Sequence, residues 1–140
     1  MKINFTELTL KPIHGHFDIS AVLAYLKAMP YSSKDSVSEY SDDLMQSYMI
    51  CGNQIMLEHC KKKRKENPER FPFICSIVHV YPTDNKIGIY FYADAEDPRF
   101  IDTVKFVLHI LGQYKCNISD EFGNNWTEQV EKKGAESLFE

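Results

Sequence analysis

The segment from Asp97 to Gly112 constrains the fold most, because it carries both ends of a helix and a buried stripe between them. Asp97 has a side chain that accepts N–H bonds at an N-cap, and Pro98 follows at the first helical position, where the missing N–H costs nothing. Ile101, Val104, Val107, Leu108 and Leu111 recur at helical spacing, so one face is expected to be buried. Gly112 offers a left-handed stop. Two strand-like runs precede this helix and a third follows it, which predicts helices laid on a sheet.

The rest of the chain fits that plan. Residues 3–10 are rich in β-branched and aromatic types and read as a first strand ended by Pro12 and Gly15. Asp18 then caps a helix in which Ile19, Val22, Leu23, Leu26 and Met29 share a face, and Pro30 stops it. Residues 31–43 are serine-rich and without periodicity, so they read as a long exposed loop. Residues 44–51 read as a strand, and Asn53 caps a helix that ends near Asn67-Pro68. The almost wholly apolar run 73–81 and the alternating run 87–92 form a hairpin across Pro82-Thr83-Asp84-Asn85. Residues 114–119 read as the last strand.

The expected fold is therefore α+β: a single-layer mixed sheet of about four or five strands covered by helices, in the order β-α-β-α-β-β-α-β. The last four elements are partly ferredoxin-like, with the long helix as a crossover between strands 86–92 and 114–119. A chain of 140 residues with no repeat and no linker is expected to be one domain, residues 1–140, with 126–140 a frayed C-terminal helix or tail.

Composition narrows the function classes. The net charge of −4 disfavours general nucleic-acid binding, which needs a basic face. No apolar run reaches the about 20 residues that span a bilayer, and the N-terminus lacks the apolar region of a signal peptide, so a cytoplasmic protein without a membrane is expected. Cys51, Cys60, Cys75 and Cys116 form no CxxC and sit among apolar residues; they read as separate, reduced core thiols.

Motif by motif, the bland reading is the better one. His14 and His16 lack further ligands and read as loop histidines. Lys61-Lys62-Lys63-Arg64-Lys65 sits where cations complement a helix C-terminus, and contiguous charges wrap around the helix instead of forming one face. Cys75 and His79 are flanked by Ile, Val and Phe, which suits core packing better than a nucleophile and its base. Asp94, Glu96 and Asp97 lack the ligand spacing of a calcium loop. Trp126 beside a turn reads as a lid over the core. No catalytic residue, cofactor or metal is expected.

Two function classes stay open. The first is a small acidic protein-binding or inhibitor module that neutralises a basic partner by covering it; in size, charge and lack of a visible site it looks like a bacterial toxin-immunity or antagonist protein. Its expected partner-binding residues are Tyr31 and Tyr40 as anchors, Asp35, Glu39, Asp42 and Asp43 for attraction, and the acidic loop with Asp94 and Glu96. The second is a small-ligand-binding or enzymatic α+β domain with a pocket between sheet and helices. Its sign would be an open cleft converging on His79, Cys75 or the 31–43 loop. A structural oligomerisation domain is a weaker third.

Overall fold

Alternation decides which face of each strand is buried. In β1 (Glu7–Pro12), Leu8, Leu10 and Pro12 point inward while Glu7, Thr9 and Lys11 point outward. A computed structural model describes residues 3–35, 40–92 and 94–140. After β1 come α1 (Ile19–Ala28), β2 (Ser32–Lys34), β3 (Gln46–Ile50), α2 (Gln54–Glu66), β4 (Ser76–Tyr81), β5 (Lys86–Tyr90), α3 (Pro98–Gln113), β6 (Cys116–Asp120), α4 (Thr127–Lys133) and a 3₁₀ turn over Ala135–Phe139.

The fold is α+β with one six-stranded open sheet, ordered β2-β3-β4-β5-β1-β6. Every neighbouring pair is antiparallel. Because β1 runs antiparallel to both β5 and β6, those two strands run in the same direction, and α3 joins them across β1. The strand beyond the four or five expected is β2, inside the segment read as a loop. Three residues are too few to show a period. What holds them is tertiary: the Ser32 hydroxyl donates to the carbonyls of Leu26 (2.6 Å) and Met29 (3.1 Å) at the end of α1. At the opposite edge, the chain after β6 folds back, so that Trp126 N–H donates to Ile118 O (2.8 Å) and Ser119 bridges Asn125.

One face of the sheet carries the main core. Leu8, Leu10, Tyr48, Ile50, Val78, Val80, Ile87, Ile89 and Ile118 pack against Val22 and Leu26 of α1 and Phe100, Val104, Phe106, Val107 and Ile110 of α3. The buried stripe of α3 is thus turned relative to the expected one, with Leu108 and Leu111 at its margin. Asp97 caps α3 as its position predicts, accepting from Arg99 N–H at 2.8 Å. Gly112 does not stop it. The helix runs to Gln113 and ends at an extended Tyr114, whose ring packs on Phe17 (4.9 Å) and whose hydroxyl accepts from Asp18 N–H (2.9 Å). Nor do residues 126–140 fray: Leu138 and Phe139 are buried, with Phe139 against Phe5, Phe91 and Phe100. Apolar burial of two side chains outweighs the charged residues that made this stretch look like a tail.

The opposite face is only half covered. Beneath α2 lies a second, smaller core of Met49, Cys51, Cys60, Cys75 and Ile77, with Met56, Leu57, Phe71, Ile74 and Tyr90 packed against it. Beyond α2 the same face is open among the described residues.

Candidate functional site

The open half of that face is built by register. Ser47, His79, Gly88, Thr9 and Ser119 stand side by side on five neighbouring strands and form one polar row. The missing side chain at Gly88 leaves a groove of about 200 Å³, lined by Glu7, Thr9, His79, Tyr81, Lys86, Gly88 and Tyr90. Lys86 lies over the Tyr81 ring at 4.8 Å, and Phe73, exposed, stands edge-on to Tyr90 at 5.5 Å. Aromatic rings therefore wall a narrow polar floor.

His79 sits at the inner end of the groove. Its Nδ1 is 2.6 Å from Ser47 Oγ, and the Phe71 ring stands edge-on at 5.2 Å. Burial lowers the His79 pKa and the nearby Arg64 charge adds to this, while Asp35 opposes it. The folded protein therefore holds His79 neutral at a pH where the unfolded chain, near the ordinary 6.5, begins to take up a proton. The unfolded state binds more protons as pH falls, so stability should drop between about pH 7 and 5. Denaturation midpoints across that range, compared with His79→Gln, check this: the variant should show the flatter slope, and equal slopes would rule His79 out as the source.

Behind His79 lies a closed ion pair. Arg64 Nε and Nη2 each donate to Asp35 at 3.0 Å, Nη1 donates to Pro68 O at 2.6 Å, and the guanidinium stacks on Phe71 at 4.1 Å from the ring centre. Both residues are buried. Arg64 belongs to the 61–65 charge run yet does not share its solvated character. It falls four residues after Cys60, on the inner face of α2, and that spacing was the available signal. A second recess of about 300 Å³ opens beside this pair at the β2 edge, where Lys34, Lys61 and Lys65 surround it.

The expected partner-binding residues do not form one patch. Asp35 is inside the ion pair, not on the surface. Glu39 lies outside the described residues. Tyr40, Asp42 and Asp43 sit near the β4–β5 turn: Tyr40 is exposed and joins burial, the main cause, in raising the Tyr81 pKa, Asp42 pairs with Lys34 (3.6 Å), and Thr83 Oγ1 donates to Asp43 O (2.6 Å). Tyr31, exposed, and the loop holding Asp94 and Glu96 lie toward the opposite end of β4, roughly 20 Å away by strand rise. Asp94 there accepts from Glu96 N–H at 3.1 Å.

The thiols are not separate either. Cys51, Cys60 and Cys75 meet under α2, and only Cys116 stands apart; no disulfide joins them. Hydrogen bonds from Cys51 and Cys75 lower the Cys60 pKa. The bond to Cys60 is the main cause of the raised Cys51 pKa, and bonds to Cys51 and then Cys60 raise that of Cys75.

Ser47 is 1% exposed, and its hydroxyl is bonded to His79. Among the described residues no buried side-chain nitrogen or oxygen lacks a partner, and no helix is long and apolar enough to cross a membrane. No family model matches the chain, and neither a curated protein nor a solved structure is significantly similar to it.

Proposed function

We propose that the protein is a non-catalytic binding module, an acidic inhibitor that neutralises a basic protein partner by covering it, as toxin-immunity proteins do. The partner docks across the open half of the sheet's second face, with Tyr40, Tyr81 and Tyr90 as contact residues and Asp42 and Asp43 steering the approach. The support is the groove itself: aromatic walls, a floor without a side chain at Gly88, and polar groups already satisfied inside the protein. Such a surface offers shape and ring area. At about 200 Å³ the groove is also smaller than the usual pocket for a small molecule.

Gly88→Val tests this with little cost to the fold. A Cβ at Gly88 meets Tyr81 at 3.6 Å and His79 at 3.9 Å, ordinary contact distances, and valine suits a strand. The wild-type chain, used as bait on an extract of its source organism, should retain a partner that Gly88→Val loses. For that partner, Asp42→Lys with Asp43→Lys should slow association more than it speeds dissociation, less so at high salt. A partner held equally by all three chains would remove this face from consideration. Turnover of a substrate by the purified protein would move it to the enzyme class.

A further inference from the structure

The three thiols beneath α2 come from three different elements. Cys51 follows β3, Cys60 lies in the middle of α2, and Cys75 directly precedes β4. All three are fully buried, and their sulfurs lie within 4.8 Å of one another. Around a metal with thiolate bonds of about 2.3 Å, three sulfurs in a plane stand roughly 4 Å apart, so closing the group onto an ion needs only small side-chain shifts. No His, Asp or Glu joins the group among the described residues. The side chains that pack with it include two more sulfurs, Met49 and Met56. Met49 shares a strand face with Cys51, and Met56 lies one helical turn before Cys60.

The turn that places Cys51 is fixed in advance. Gly52 has φ +82, and a Cβ there would stand 2.9 Å from Arg99 N, so the chain after Cys51 is pressed against the start of α3. From there Arg99 donates to Ile74 O at 2.8 Å, next to Cys75. Two of the three cysteine backbones are thereby held by one residue. A recess of about 300 Å³ lies between α2 and the 70–74 segment, bordered by His59 and Pro72.

We infer that Cys51, Cys60 and Cys75 form a three-thiolate site for one soft monovalent metal ion, Cu(I). Soft sulfur donors select soft metals, and the neighbouring thioethers and the lack of a nitrogen or oxygen fourth ligand favour Cu(I) over Zn(II), which seeks four ligands. Binding replaces the S–H bond of each coordinating thiol by a metal–sulfur bond, and the protons leave to solvent. The metal arrives as Cu(I), so no electron is transferred. The sulfurs lie under α2, and Tyr90, which packs against the same core, also borders the groove.

The test is anaerobic titration of the reduced full-length protein with Cu(I) against a competing chelator, with native mass spectrometry for stoichiometry. One copper per chain is expected. Cys60→Ser and Cys51→Ser should each weaken binding by more than the roughly 10–100-fold that follows loss of an outer partner of a metal ligand. Cys116→Ser should bind as wild type. The copper X-ray absorption spectrum of the wild-type protein, which needs no variant to fold, should show a shell of sulfur neighbours. Absence of stoichiometric copper, a nitrogen or oxygen shell, unchanged binding by Cys60→Ser, or tighter binding of Zn(II) than of Cu(I) would each overturn the assignment.

Discussion

Arg64→Ala is expected to destabilise the protein by about 3–5 kcal/mol, because it takes a doubly bonded guanidinium away from the buried Asp35 carboxylate. Asp35 is 6% exposed, so water cannot replace the guanidinium without opening the β2–α2 contact. The loss includes more than charge: Arg64 also donates to Pro68 O and stacks on Phe71. Arg64→Lys should recover only part, since an ammonium cannot make the paired bonds to both carboxylate oxygens. Replacing both partners by apolar residues of similar volume, Asp35→Leu with Arg64→Met, should restore most of the stability. Urea unfolding measures all four chains. A loss under about 1 kcal/mol for Arg64→Ala would place the pair in the class of surface ion pairs.

The C-terminal turn should matter as much. Phe139→Ala removes a ring that contacts Phe5, Phe91 and Phe100, and the expected cost is about 3–5 kcal/mol. Ending the chain at Gly134 removes Leu138 as well and should cost more. Calorimetry of both chains distinguishes this from a dispensable tail, for which the melting temperature would not move.

Local chemistry made some elements readable. Asp18, Asn53 and Asp97 each cap the helix their sequence position implies, because an N-cap needs only neighbours within three residues. The sheet was readable as a class, from alternation and apolar runs, but not as an order of strands. The partner of β1 on one side is β5, about eighty residues later, and nothing local records that. The site failed to appear for the same reason. Ser47, His79, Gly88, Thr9 and Ser119 become a row only through four registers, and single residues of these types carry no signal alone. Gly112 shows the converse. Its chemistry permits a stop, but Tyr114 is held by Phe17 and Asp18, and that distant hold decides where the helix ends. The thiol group was half visible: Met56, Cys60 and Arg64 share a helical face at four-residue spacing and both strand runs beside Cys51 and Cys75 could be read, but nothing local places those runs opposite that face.

The fold-back after β6 has a consequence for how this protein meets others. The outer ladder groups of a terminal strand usually invite another chain to extend the sheet, a route to recognition and to polymerisation alike. Here Ile118 N–H donates to Thr127 Oγ1 (2.9 Å), Ile118 O accepts from Trp126 N–H, and Asp120 N–H donates to Asn124 O (3.1 Å). That margin is already occupied by the protein's own backbone and side chains. The other margin, β2, has three residues, too short a template to hold a foreign strand by main-chain bonds alone. Among the described residues, both borders of the sheet are thus blunted against extension by a foreign strand.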